Sequence, residues 1–159
     1  MPVVGEQVED FELLNQDGEM VRLNDYRGQK VIVFAFPKAD AAASDEQVIL
    51  FRDAMNDFKE SNAVVFGIGI ESPEELAAWK TQHNLNFDLL SDPDHAVLSA
   101  WDAYGEIELK GRNFEGPIRS YWVINQSGMI VDAQVRVTPE GSVRQALSAV
   151  EDRYARRTF

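Results

Sequence analysis

Ser44 occupies the part of this chain where chemistry is most readily built. It begins a helical pattern directly after a buried strand, and sites in open α/β sheets collect beyond the carboxyl ends of the strands. A serine hydroxyl is a nucleophile for acyl transfer when a general base and an oxyanion hole lie beside it. The two histidines, His83 and His95, fall in a predicted helix end and in a polar turn. Because the sequence places neither of them beside Ser44, it identifies no base for acyl transfer.

Ser44 also has a purely structural interpretation. The run Ser44-Asp45-Glu46-Gln47 has the Ser-x-x-Gln spacing of a capping box, in which the serine hydroxyl accepts a hydrogen bond from the backbone N–H three residues later. Such a cap stabilises a helix by about 1 kcal/mol. This capping role is the simpler explanation, and it is the one that we expect.

Arg119 has two interpretations that the sequence leaves open. A guanidinium beside a helix N-terminus favours a bound anion, since both present positive charge to it. Alternatively, Arg119 pairs with an acid such as Asp40 or Asp53. The first interpretation makes Arg119 part of a binding site, and the second makes it part of the scaffold.

No metal or cofactor is expected from the sequence. Asp92 and Asp94 flank a proline and are typical turn residues, and no third ligand recurs at a fixed spacing from them. Three acids lie at the start of the helix predicted at 72–84, and they are interpreted as complements to the dipole of that helix on a solvated face. They are Glu71, Glu74 and Glu75.

Composition limits the function classes further. The chain has 159 residues, a formal net charge of −12 and no cysteine, which excludes disulfides, iron–sulfur clusters and thiol chemistry. The negative charge disfavours nucleic acid and anionic membranes. The longest apolar run, at 31–36, has the length of a strand rather than of a membrane span, and the first residues lack the features of a signal peptide. We expect the chain to form one domain over residues 1–159. We also expect the protein to be cytoplasmic and to be a monomer or a homodimer.

Hydrophobic periodicity predicts the elements that must position these residues. Two-residue alternation and continuous apolar runs indicate strands, and 3.6-residue stripes with capping signals indicate helices. The predicted order is a hairpin at 11–23, a strand at 30–36, a helix at 44–59, a strand at 63–70, a helix at 72–84, a strand at 87–90, a helix ending near 101, a hairpin at 119–135 and a helix from 138 to about Tyr154. This order indicates a thioredoxin-like α/β fold with a central mixed sheet flanked by helices and an N-terminal β-hairpin.

The loop before the first helix carries a family resemblance. It contains Pro37-Lys38-Ala39-Asp40-Ala41-Ala42-Ala43-Ser44, followed by Phe51-Arg52-Asp53. These residues resemble a peroxiredoxin of the Q type, the bacterioferritin comigratory proteins within the AhpC/TSA group, whose pattern is Pro-x-x-x-Thr-x-x-Cys and then Phe-Arg-Asp. Further segments match that group in order and spacing: 11–18, 24–30, 89–94, 119–124 and the Ser-Gly hairpin at 127–128.

The resemblance implies roles for five positions. Pro37 falls on the proline that shields the reactive sulfur, and Arg119 falls on the arginine that polarises the peroxide. Ala41 stands where the family has a threonine that contacts peroxide. Ser44 stands at the peroxidatic cysteine, and Ile49 stands at the optional resolving cysteine. The pocket is therefore only partly retained.

This departure predicts a loss of the family activity. A peroxidatic thiolate attacks the O–O bond and becomes a sulfenic acid, whereas a serine hydroxyl is hardly ionised and has no comparable oxidised state. We expect a degenerate site without thiol peroxidase activity, in which the Ser44/Arg119 pocket binds a small anion or a peroxide-like ligand. The alternative is a working peroxidase in which cysteine has been replaced by serine at position 44. Ala41 weighs against it, because an engineered variant normally keeps its threonine.

Overall fold

A computed structural model of the protein describes residues 3–151. The end of the last predicted helix, near Tyr154, lies outside these residues. The strands and helices are β1 (Glu12–Asn15), β2 (Met20–Arg22), β3 (Lys30–Ala35), α1 (Ala42–Asp53), α2 (Met55–Glu60), β4 (Ala63–Gly69), α3 (Pro73–His83), β5 (Asp88–Ser91), α4 (Ala96–Ala100), β6 (Tyr104–Leu109), β7 (Arg112–Pro117), β8 (Ser120–Ile124), β9 (Ile130–Val135) and α5 (Pro139–Glu151). A short 3-10 helix at Leu23–Tyr26 connects β2 to β3.

Seven strands form one mixed sheet in the order β2-β1-β5-β4-β3-β8-β9. Strand β4 pairs in parallel with β3 and β5, while β8 runs antiparallel to β3 and β9. The N-terminal hairpin, β1 and β2, joins the sheet through β5. This topology confirms the thioredoxin-like fold with its N-terminal hairpin.

Strand β3 divides the interior into two cores. Because successive side chains on a strand point to opposite faces, Ile32 and Phe34 pack on the side of α1, α2, α3 and α5, while Val31 and Val33 pack on the side of α4. Burial on both faces explains why this strand is an unbroken apolar run. Within residues 3–151 no helix has the length and apolar character needed to cross a membrane.

The first predicted helix differs from the observed one at both ends. Helix α1 begins at Ala42, and Ala41 is its N-cap, with φ −78° and ψ 146°. Alanine lacks a capping group but is the best helix former, so the alanines at 42–43 enter the first turn. A break at Ala54 then separates α1 from α2. The single helix predicted over 44–59 is therefore wrong in its boundaries.

A hairpin of β6 and β7 forms a second, two-stranded sheet that hydrophobic periodicity did not predict. Its signal is present in the sequence, because apolar and acidic residues alternate through β6 and a Lys110-Gly111 turn follows. Both turn residues have positive φ, at 54° and 76°, as a tight hairpin requires. The hairpin lies beside the loop that precedes α1: a Cβ placed on Gly116 would lie 4.0 Å from the carbonyl oxygen of Pro37.

Candidate functional site

Ser44 lies inside the first turn of α1 rather than at its cap. Its side chain is fully buried, and its Oγ has no hydrogen-bond partner among residues 3–151. The capping-box prediction is therefore wrong. Because the helix begins two residues before Ser44, Ser44 has a helical position, whereas a capping residue lies just before the first helical residue. The outcome is a buried polar oxygen at the positive end of a helix.

Gln47 connects Arg119 to α1. The guanidinium Nη1 of Arg119 donates a 2.6 Å hydrogen bond to Gln47 Oε1, and Gln47 Nε2 donates at 3.0 Å to Ser142 Oγ. The Ser142 hydroxyl in turn donates to the carbonyl oxygen of Pro139. Since Gln47 lies three residues after Ser44, the two share one face of the helix. Arg119 is thus held against the helix face that carries Ser44.

The acids considered as partners of Arg119 bind elsewhere. Asp53 pairs with Arg52 at 2.9 Å, and Asp40 accepts a 3.4 Å hydrogen bond from Gln82. Within residues 3–151 no ion pair of Arg119 is found. Burial lowers the pKa of Arg119, and the charge of Glu46 partly offsets that effect. An arginine remains charged at neutral pH, so the site retains a partly desolvated cation whose charge is neutralised by direct contact with no acid of the described chain.

Glu71 holds the loop that precedes α1. Its Oε2 accepts a 2.7 Å hydrogen bond from the backbone N–H of Ala39, and its own carbonyl oxygen accepts from Ser91 Oγ at 2.6 Å. Desolvation raises the pKa of Glu71 above its ordinary value. The interpretation of this residue as a solvated helix acid is therefore wrong. Glu75, by contrast, is exposed, and it forms a capping box with Ser72 at the start of α3.

His83 lies against the first turn of α1, which the sequence did not indicate. Its Nε2 is 3.1 Å from Asp45 Oδ1, and Trp79 Nε1 donates to the same oxygen at 2.8 Å. Asp45 is the neighbour of Ser44 in the chain, yet Ser44 Oγ makes no hydrogen bond to His83. The described residues therefore form no Ser-His-Asp relay. The sequence does not indicate this contact, because 38 residues separate Asp45 from His83.

The remaining predicted positions lie on the same loop and helix. Pro37 and Ala41 belong to the segment between β3 and α1, and Ala41 brings no hydroxyl to the start of the helix. Ile49 is a half-buried residue of α1, five residues after Ser44. The described chain thus gathers the loop, the helix start and Arg119, without a thiol at any of them.

Comparison with known proteins identifies this arrangement. The chain belongs to the AhpC/TSA family, whose pattern matches residues 4–133, and within that family it is similar to the peroxiredoxin Q or bacterioferritin comigratory proteins. It is 42% identical over 139 residues to a Mycobacterium tuberculosis (strain H37Rv) protein named as a peroxiredoxin, covering 87% of this chain and 88% of that one. It is 36% identical over 126 residues to peroxiredoxin Bcp of Escherichia coli K12, covering 79% and 81%.

Solved structures agree on the fold. A cysteine-to-serine mutant of Xylella fastidiosa peroxiredoxin Q superposes with a TM-score of 0.89 at 22% identity, covering 97% of this chain and 98% of that one. Peroxidoxin BcpB of Mycobacterium tuberculosis superposes with a TM-score of 0.84 at 24% identity, covering 95% and 97%.

Proposed function

We propose that this protein is a peroxiredoxin-family member without thiol peroxidase activity, which binds a small anion or a hydroperoxide beside Ser44 and acts in the cytoplasm. The observation that carries the proposal is the state of Ser44. It stands at the position matched to the reactive cysteine, fully buried in the first turn of α1, with an Oγ that no described residue hydrogen-bonds.

The difference between an oxygen and a sulfur atom at position 44 explains why we expect no thiol peroxidase activity. Peroxide reduction transfers one oxygen atom to a thiolate and leaves a sulfenic acid, which a second thiol then reduces. Serine cannot enter this cycle, because its hydroxyl is barely ionised at neutral pH and forms no recyclable oxidised state. The chain contains no cysteine, so no thiol elsewhere can take over the role.

Ligand binding is supported by the polar groups that remain. A buried hydroxyl without a partner costs about 1–3 kcal/mol, and a ligand oxygen that exchanges a hydrogen bond with it would remove that cost. The first turn of α1 presents the positive end of the helix dipole. Arg119, desolvated and held by Gln47, adds a full positive charge on the same helix face. These features favour a small ligand with negative charge or exposed oxygen lone pairs.

A second candidate is a working peroxidase in which serine replaces a native cysteine at position 44. The Xylella fastidiosa cysteine-to-serine mutant supports it, because that protein keeps the same fold with serine in place of one cysteine. Ala41 and Ile49 weigh against it, since they also lack the reactive side chains of the family pattern. The codon at position 44 in the native gene distinguishes the two.

Peroxide consumption tests the proposal directly. We expect the chain to consume no more hydrogen peroxide than a protein-free control, with thioredoxin or dithiothreitol as the reductant. Turnover above that control would overturn the proposal. Retained binding is measured separately, as protection of the folded state by sulfate or acetate: we expect the midpoint of thermal unfolding to rise in the wild type and to rise less in Arg119→Gln.

A further inference from the structure

We propose that Asp40, Asp45 and His83 form a binding site for one divalent transition-metal ion of the size of Zn²⁺. The three residues come from separate elements: the loop before α1, the first turn of α1 and the last turn of α3. One ligand atom from each, a carboxylate oxygen or an imidazole nitrogen, lies within 4.8 Å of the other two. The site uses neither Ser44 nor Arg119, so it is independent of the proposed function.

The separations fit a single ion. Zinc binds nitrogen and oxygen at about 2.0–2.2 Å, which puts two ligands of a tetrahedral site about 3.4 Å apart. His83 Nε2 and Asp45 Oδ1 are 3.1 Å apart. Asp40 is an exposed loop residue, and its carboxylate needs to move by no more than about 1.4 Å to reach the same spacing. Three protein ligands leave a fourth position for water.

The charges favour a cation. Two carboxylates supply two negative charges, whereas the N-terminus of α1 opposes a cation with only about half a positive charge. The side chains of His83 and Asp45 are 15% and 25% exposed, so their attraction for an ion is less screened than at the surface. Arg52 approaches the backbone of His83, but its guanidinium also pairs with Asp53.

Neighbouring side chains fix the orientation of the ligands. Trp79 donates its indole N–H to Asp45 Oδ1, and its ring packs edge-on against His83, with ring centres 6.2 Å apart. Gln82 donates to Asp40 Oδ1. Such contacts outside the ligand set orient the metal ligands in known sites. An imidazole binds a metal ion through the lone pair of one ring nitrogen, and Nε2 of His83 is the ring nitrogen that faces Asp45.

The competing explanation is a simple ion pair between His83 and Asp45. It accounts for the 3.1 Å contact, but it gives Asp40 no role. The two explanations therefore differ in whether removal of the exposed Asp40 carboxylate has any effect on metal binding.

Titration of the untagged, chelator-treated protein with Co²⁺ and Zn²⁺ tests the site, followed by calorimetry and by Trp fluorescence. We expect one ion per chain. Asp40→Asn and His83→Gln each weaken binding at least about tenfold, the smallest loss expected when a metal site is disturbed. Asparagine tolerates the positive φ of 67° at position 40, so Asp40→Asn keeps the loop conformation even if His83→Gln disturbs α3.

Two matched controls complete the experiment. His95→Gln removes the second of the two histidines in the chain, and Glu46→Gln removes a neighbouring carboxylate on α1; we expect both to bind like the wild type. No saturable binding at millimolar Zn²⁺, or equal affinities in the wild type and Asp40→Asn, would overturn the site. Ser44→Ala is expected to bind the ion with the affinity of the wild type. Failure of the metal site can therefore be distinguished from failure of the proposed function, which the peroxide assay tests.

Discussion

The surroundings of Ser44 stabilise negative charge, whichever atom stands there. The side chain lies at the positive end of α1, and Arg119 is held on the same helix face through Gln47. Both features lower the pKa of a thiol, whereas full burial raises it. A cysteine at this position would report which effect is stronger, and hence whether the pocket has kept its electrostatics.

Ser44→Cys is predicted to carry a thiol with a pKa below the ordinary 8.5 or so, because the helix end and Arg119 outweigh burial. The pH dependence of alkylation by iodoacetamide measures it, and the variant should also react with hydrogen peroxide faster than a free thiol does. Ser61→Cys is the matched control: Ser61 is also buried with an unpartnered Oγ, but it caps the C-terminal end of α2. An ordinary pKa for Cys at position 44 would show that the pocket has decayed.

The family resemblance proposes Ser44, Ala41 and Arg119 as positions of the site, but it gives none of the contacts among the side chains there. The pairing of Arg119 with Gln47 was not predictable, because residues 72 apart meet only once β8 has been placed beside β3. The capping box failed for a local reason, since the helix propensity of the preceding alanines moved the start of α1.

At the scale of whole elements, the strands buried on both faces were the most predictable, because their apolar runs leave no other assignment. The hairpin of β6 and β7 was missed although apolar and acidic residues alternate in β6, because β7 is largely exposed and shows no such alternation. The thioredoxin-like topology followed from the order of the elements. The position of this hairpin beside the Pro37 loop depends on tertiary packing and has no sequence signal.

Glu71, which holds the loop before α1, is predicted to make the free energy of unfolding depend on pH. Its pKa is raised from 4.5 by desolvation, so the folded state binds a proton more tightly than the unfolded state does. Between pH 4.5 and the raised value, the contribution of Glu71 to the free energy of unfolding therefore falls as pH rises. Glu71→Gln keeps an acceptor for Ala39 N–H and should remove this fall, so that its stability relative to the wild type rises with pH.

Glu75 provides the opposite control on the same stretch of chain. Hydrogen bonds from Ser72 lower its pKa from 4.5. Its contribution is therefore present above pH 4.5 and is lost as pH falls through the lowered value. Urea unfolding of the wild type, Glu71→Gln and Glu75→Gln is measured from about pH 3 to about pH 7, which brackets the ordinary glutamate pKa on both sides. Relative to the wild type, the stability of Glu71→Gln should rise with pH above pH 4.5, and that of Glu75→Gln should fall with rising pH below pH 4.5. Parallel curves for the two variants would contradict the coupling.

For the molecule as a whole, the net charge of −12 is predicted to oppose folding at low ionic strength. Compaction brings like charges together, and salt screens that repulsion over a Debye length of about 10 Å at 0.1 M. The ion pairs among residues 3–151 are mostly exposed and contribute little that salt could remove. We therefore expect the midpoint of urea unfolding to rise as sodium chloride is increased at neutral pH. Potassium chloride should give the same curve, since screening depends on ionic strength. A fall in the midpoint would mean that local ion pairs outweigh the net repulsion.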